Sequence, residues 1–294
     1  MDMRRSAGID LFGDEMKKWL RLTGAVVMPV LFLWQGPVTA RAVREGLLLC
    51  AQAVIPALFP FMAAVRFAIG CGLGDGFSPG VAALLPGLVG GYPMGAAAVG
   101  QLREDGQLSP SQAAGLLCCC NQAGPAFILT FLGQGIFGSA RTGLLLWGIH
   151  LLSAGIMAVL FFPRHIRPAA RSARPFAPAP AFVEAVTEAT RAMVRVCGFV
   201  VLFSVVTALL RHFGVTAPLL LGALELTCGA GALPRTGAGF VMAAALLGWG
   251  GVSVHCQTAA VLSGTGLPLG RYVAAKALQG GISAVLAALA VRWI

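Results

Sequence analysis

Two stretches of 35 residues, 106–140 and 236–270, contain no Asp, Glu, Lys or Arg. A bilayer crossing takes about 20 apolar residues. Each stretch is therefore too long for one crossing and too short for two with a proper loop. Each also carries polar residues in its middle: Asn121-Gln122-Ala123-Gly124-Pro125 in the first, and Ser253, His255 and Gln257 in the second. A helix, a polar break and a second half-helix fit the first. In the second, the alternation of Ser253, His255 and Gln257 does not suit one side of a regular helix and predicts an unwound segment. Irregular backbone at membrane depth is tolerated only where it is buried in protein or lines a wet cavity, so these breaks are candidate binding elements.

A third break lies in the uncharged run Gly76–Leu102, where Gly90-Gly91-Tyr92-Pro93-Met94-Gly95 places three glycines and a proline in six residues. Glycine costs about 1 kcal/mol and proline about 3 kcal/mol relative to alanine inside a helix. Proline also removes a backbone donor and clashes with the preceding turn.

Composition sets the class. Of 294 residues 57% are hydrophobic and 11% charged, and mean hydropathy is +0.83, against about 25% charged residues in a soluble domain. The shortfall runs along the whole length and predicts a polytopic, all-α membrane protein. The net charge of +10 does not point to nucleic acid, because the Arg and Lys residues sit at the ends of apolar runs, as the positive-inside rule and snorkelling produce. The eight cysteines, including adjacent Cys118-Cys119-Cys120, show no metal or disulfide spacing and read as membrane-buried free thiols. No metal or other cofactor is expected; the partners expected are the lipid bilayer and a small solute, with homo-oligomerisation left open.

Taken in order, Met1–Lys18 is polar and basic and Trp19–Trp34 mostly apolar. With Val38-Thr39-Ala40 following, a cleaved signal peptide is one reading, and an uncleaved first transmembrane helix is preferred. Gly46–Gly70 is long enough to span, with a kink or helix break expected at Pro56 and Pro60. Ser109 is a helix N-cap with Pro110 at the first helical position. Thr142–Phe162 reads as a plain spanning helix in which His150 is packed and hydrogen-bonded. Pro163–Pro180, with its four arginines and a histidine among prolines and alanines, is a linker on the cytoplasmic side. Phe182–Arg195 is an amphipathic lead-in that Val196–Leu210 continues into the bilayer.

The second half matches the first in outline: span, broken segment, polar tip, long broken segment, span. An offset of 130 places Leu221–Cys228 near Gly91–Ala98. Matching broken hydrophobic segments in two halves are the sequence pointer to the site of a secondary transporter. The expected division is residues 1–40 as basic segment and first helix, 41–163 as first repeat, 164–181 as linker and 182–294 as second repeat.

Glu225 is the sharpest single residue. It lies among leucines in Leu219–Cys228 with no cation nearby in sequence. An ionisable group at bilayer depth marks a pathway or relay. Glu225 could hold a coupling proton or sodium ion, or donate to substrate. Amides at Asn121 and Gln122 can donate to carboxylate or ring acceptors, the half-helix beyond Gly124-Pro125 would offer backbone N–H groups to an anion, and Arg66 could supply a charge or anchor the interface. The candidate substrate-lining set is Gly91, Tyr92, Pro93, Gly95, Asn121, Gln122, Gly124, Glu225, Thr227, Ser253, His255 and Gln257. His255 has no Ser or Asp partner in a usable motif, and no paired acid–base or metal motif supports an enzyme. Gly229-Ala230-Gly231 and Gly248-Trp249-Gly250-Gly251 lack the context of phosphate loops; the 39 glycines fit close helix packing in lipid.

Val54-Ile55-Pro56-Ala57-Leu58-Phe59-Pro60-Phe61, Gly90–Gly95 and Asn121–Phe127, followed by Gly133 to Gly138, resemble in composition and order the sporulation integral membrane protein YlbJ family. Met94 stands where that pattern has Ser, and Gln122 where it has Thr or Cys. The resemblance covers most of Gly46–Phe162 and the second half loosely. It implies a nucleoside-recognition (Gate) protein, similar to the membrane core of concentrative nucleoside transporters, with inverted repeats and re-entrant hairpins. It further implies movement of dipicolinic acid across the outer forespore membrane during spore formation. A nucleoside-type carrier and a non-transporting sporulation scaffold are the alternatives.

Overall fold

The structure is a computed structural model that describes residues 22–73, 77–164, 166 and 177–293. All its regular elements are helical. Among the described residues five helical runs are long and apolar enough to cross a membrane: Gly36–Gly70, Ala140–Phe161, Pro178–His212, Gly237–Val261 and Gly270–Trp293. The chain is a multi-pass integral membrane protein.

Helix α1, Leu22–Trp34, has 13 described residues, short of the roughly 20 that a crossing needs; the rest of the expected first segment, residues 1–21, lies outside the described residues. The chain turns at Gln35 and continues into α2, Gly36–Leu49, so the expected boundary at residues 40/41 falls inside a helix. Of the kink or helix break expected at Pro56 and Pro60, a break does not occur. A π-helical turn, Cys50–Val54, joins α2 to α3, Ile55–Gly70, with the Ile55 N–H donating to the Cys50 carbonyl. The wider turn lets the run pass Pro56, which has no N–H to give, and Pro60 is carried within α3.

Next come α4, Pro79–Gly90, and α5, Met94–Glu104, which meet at the Gly91–Pro93 break. Helix α6, Pro110–Cys120, opens with the expected cap: Ser109 Oγ accepts from the Gln112 N–H, and the Gln112 side chain accepts from the Ser109 N–H at 2.8 Å. Residues 121–124 leave the helix, and a π-helical stretch, Phe127–Ile136, completes the first long uncharged run as half-helix, polar break, half-helix. Helix α7, Ala140–Phe161, follows. The linker expected at 164–181 falls largely outside the described residues, and its last four residues already belong to α8, Pro178–His212. At about 1.5 Å per residue α8 is longer than a hydrocarbon core. Its first turns carry an exposed Arg191–Glu188 ion pair at 2.6 Å, as befits a lead-in outside the lipid.

Two further pairs of short helices and a final span follow α8. Helices α9, Pro218–Leu224, and α10, Leu226–Ala230, meet at Glu225. Helices α11, Gly237–Trp249, and α12, Val252–Val261, meet at Gly250-Gly251. Helix α13, Gly270–Ala290, closes the fold. Three apolar clusters each draw on both halves of the chain. Met62 and Val65 pack with Met193 and Val196; Ala96 and Leu117 with Leu262 and Tyr272; Ile128 and Leu146 with Phe240 and Leu247.

Glycine makes the close approaches possible. A Cβ added at Gly87 or Gly95 would overlap the Cys120 carbonyl oxygen, so α4, α5 and the end of α6 are in backbone contact. A Cβ at Gly229 would overlap the Gly222 backbone in the same way. A buried methyl with no room costs about 1–3 kcal/mol. Gly95→Ala is therefore expected to lower the thermal unfolding midpoint in detergent, whereas Gly155→Ala, where nothing lies within 4 Å, leaves it unchanged or slightly raised. An undiminished midpoint for Gly95→Ala would show that the α5–α6 contact carries no packing constraint.

Candidate functional site

The four breaks are built differently and meet in the middle of the protein. Gly91 takes φ +78° and Gly250 and Gly251 take φ +88° and +96°, a region in which side chains with a Cβ are strained. Asn121 and Glu225 leave the helix through extended backbone, at φ −91°, ψ 95° and φ −138°, ψ 113°. Within the first half, the Gly91 backbone lies against Gly124 so closely that an added Cβ would sit 2.8 Å from the Gly124 nitrogen. Within the second, a Cβ at Gly251 would sit 3.3 Å from the Leu226 nitrogen. Tyr92 connects the two pairs, its hydroxyl donating to the Leu247 carbonyl at 2.9 Å.

A cavity of about 40 Å³ lies between them, lined on its polar side by Tyr92, Gly124, Glu225, Thr227 and Gln257 and on its apolar side by residues such as Leu58, Phe127 and Val200. That is room for a water or an ion, far below the roughly 300 Å³ at which ligand pockets begin. Glu225 is 2% exposed. One carboxylate oxygen accepts from the Cys228 N–H at 2.6 Å, capping α10, and the other from the Thr227 hydroxyl at 3.3 Å. The carboxylate is thus enclosed by protein and held by two donors.

Behind Tyr92 lies a second polar group. Lys276, fully buried in α13, donates to Gln279 Oε1 at 2.7 Å, to the Asn121 carbonyl at 3.1 Å and to Gln122 Oε1 at 3.5 Å, and its ammonium lies 5.5 Å from the centre of the Tyr92 ring. The amides of Gln122 and Gln279 donate to each other, at 3.3 and 2.7 Å. Asn121 Nδ2 donates to both Thr258 Oγ1 and the Tyr272 hydroxyl at 2.9 Å, which leaves its own Oδ1 buried and unpartnered. Gln279 also reaches Ser153 of α7 at 3.3 Å. Among the described residues neither Lys276 nor Glu225 forms an ion pair, so one charge of each sign is buried on either side of Tyr92 with neutral partners only.

The structure thus divides the expected residues. Tyr92, Gly124, Glu225, Thr227 and Gln257 share the cavity; Asn121 and Gln122 belong to the lysine network; Gly91, Pro93 and Gly95 serve as backbone. The unwound segment expected at Ser253–Gln257 is corrected. These residues lie in α12, and the unwinding is taken up before it by Gly250-Gly251. Ser253 and Gln257, one turn apart, bond each other at 3.3 Å, while His255 projects elsewhere, edge-on to Trp249 and Tyr272 with both ring nitrogens buried and unpartnered. Helix α12 buries Ser253, Val254, His255, Gln257 and Thr258, more than one face of its first turns, so these polar residues need no break to be buried. Arg66 lies in α3 away from the cavity. His150 is hydrogen-bonded as expected, accepting from the Ala123 N–H at 3.1 Å, and all eight cysteines are free thiols.

Lys276, Gln279 and Tyr272 are functional candidates that inspection of the uncharged runs does not reach, because they lie in the spanning helix after the second run. Their signal is periodic. Tyr272, Lys276, Gln279 and Ser283 fall at intervals of four, three and four, one polar stripe along an otherwise apolar helix.

The chain is 28% identical to the sporulation integral membrane protein YlbJ of Bacillus subtilis (strain 168) over an alignment of 313 positions, which covers 84% of this chain and 76% of the relative. No family model matches it, and no solved structure matches it.

Interhelical hydrogen bonds in membranes are worth up to about 1.7 kcal/mol each, and an unsatisfied buried group costs about 1–3 kcal/mol. Gln279→Leu removes the shortest Lys276 contact and both bonds between the two glutamine amides, leaving Gln122 with the Cys119 carbonyl and the long Lys276 contact, and is expected to destabilise the detergent-solubilised protein by about 2 kcal/mol in thermal unfolding. Glu225→Gln keeps an oxygen for the Cys228 N–H and should stay within about 1 kcal/mol of the parent. The reverse ranking would refute this account of the network.

Proposed function

We propose that this chain is a member of the sporulation integral membrane protein YlbJ family, to whose Bacillus subtilis member it is 28% identical, and that it is a carrier of a small anionic solute, dipicolinic acid, across the outer forespore membrane during spore maturation. The observation that carries the reading is the meeting of four helix breaks around a small cavity lined by a buried carboxylate that has no cationic partner among the described residues. A protein that only anchored partners would have no need of irregular backbone at bilayer depth, which is costly unless it lines a path.

The order of elements supports an alternating mechanism. A long helix, two short helices meeting at a break, two more meeting at a break and a final span occur first from Gly36 to Phe161 and then from Pro178 to Ala290. We take these as two structural repeats in the manner of concentrative nucleoside transporters, with the solute bound where their breaks face each other. The present cavity of about 40 Å³ admits no pyridine dicarboxylate, so the solute enters when the halves part. In this scheme Glu225 holds the coupling cation, a proton or a sodium ion. A carboxylate beside an incoming anion repels it unless neutralised, and neutralisation couples the two movements. No catalytic step is involved.

Replacing Glu225 with Gln, or Asn121 with Ala, is expected to abolish dipicolinate accumulation in spores while the protein stays in the membrane fraction on immunoblotting. Normal accumulation in both variants removes the site assignment. Uptake into vesicles of labelled nucleoside but not dipicolinate would replace the proposed solute with a nucleoside, and absence of any uptake, with sporulation dependent only on residues 164–181 and the termini, would favour a scaffold.

A further inference from the structure

We infer that Lys276 is the cationic anchor for one carboxylate of the transported anion, screened from the cavity by the Tyr92 ring until the solute arrives. The inference rests on the carrier reading above and names the residue that recognises the solute's charge.

A lysine with no exposed surface in the body of a spanning helix, without a carboxylate partner, is expensive to keep. The surrounding hydrogen bonds do not require it. Gln122 and Gln279 already satisfy each other, and Asn121 is held through its amide by Thr258 and Tyr272. A neutral donor would serve the Asn121 carbonyl equally well. What the ammonium alone supplies is charge, and the one class of group that would balance it is an anion not yet bound.

The geometry supports a substitution of partners. Of the three contacts made by Lys276 Nζ, that to Gln122 Oε1 is at 3.5 Å, the limit of a hydrogen bond, whereas Gln279 Oε1 is at 2.7 Å. The long contact can be exchanged for a carboxylate oxygen while the other two keep the side chain in place. The same Tyr92 ring lines the cavity and lies 5.5 Å from the ammonium. A rotation of that one ring, released from the Leu247 carbonyl, joins the cavity to the lysine. The Gln122 and Gln279 amides and the Tyr272 hydroxyl then stand ready as further donors, while Glu225 remains on the cavity side, away from the carboxylate it would repel.

The test uses the purified full-length protein and two ligands of one shape: pyridine-2,6-dicarboxylate and its uncharged diamide, pyridine-2,6-dicarboxamide, titrated by calorimetry. The parent is expected to prefer the dianion by about 30-fold or more, the effect of leaving a buried charge pair half made. Lys276→Met should bring the ratio of the two affinities close to one, and Lys276→Arg should preserve the preference. If Lys276→Met does not yield folded protein, Lys276→Gln gives the same readout. A folded neutral variant that keeps the parent's ratio, even with both affinities lowered, overturns the assignment of Lys276 and leaves the carrier reading standing, since a merely structural lysine would weaken both ligands alike. A parent that binds nucleoside and neither pyridine ligand overturns both.

Discussion

Backbone that leaves a helix at membrane depth must find its hydrogen-bond partners inside the protein, and several buried polar side chains here answer that demand. His150 accepts from the Ala123 N–H, Lys276 donates to the Asn121 carbonyl, Trp249 to the Ala223 carbonyl, Tyr92 to the Leu247 carbonyl, and Glu225 accepts from the Cys228 N–H. Each of these bonds lies at or beside one of the four breaks. The broken helices and the polar residues therefore require each other: without the breaks the side chains would be unsatisfied, and without the side chains the breaks would expose peptide groups to lipid.

That shared requirement explains why the polar core is confined to one region. Glu225 and Lys276 are drawn to the same centre by the backbone, yet neither neutralises the other. Direct pairing would have balanced the two buried charges within the protein itself. Tyr92 keeps them apart with an apolar ring whose hydroxyl is tied to the opposite half of the chain.

Much of the architecture was legible in the sequence for the same reason. Glycine and proline in an apolar run state where a helix cannot continue, so the breaks at Gly91–Pro93 and Asn121–Gly124 could be placed, and a carboxylate among leucines marked Glu225. The capping box at Ser109 was equally local. What was not legible depends on neighbours. Pro56 looked like a break, and only the π-helical turn at Cys50–Val54 lets the helix pass it. Ser253, His255 and Gln257 looked like unwound backbone because alternation does not suit a helix with one buried face; α12 is buried on more than one. Lys276 escaped notice because a charge near the start of a spanning helix resembles an interfacial anchor, and its burial follows from how α13 packs on α7 and α11.

Apart from the bond of Lys276 to Gln279 within α13, the main hydrogen bonds around the lysine share one further property. Asn121 to Thr258 and Tyr272, Gln122 to Gln279, Lys276 to Asn121, Ser153 to Gln279 and Tyr92 to Leu247 all run from the first half of the chain to the second. Within each half, by contrast, the breaks are held by glycine backbones in direct contact, Gly91 on Gly124 and Gly251 on Leu226. Backbone contact of that kind leaves no room to slide and resists any change of spacing. Hydrogen bonds between side chains can instead be exchanged for water or for a ligand's oxygens at little net cost. A seam of exchangeable bonds between two internally locked units is what the carrier proposed above requires, and under that proposal the lysine and amides at the seam select the solute that replaces those bonds.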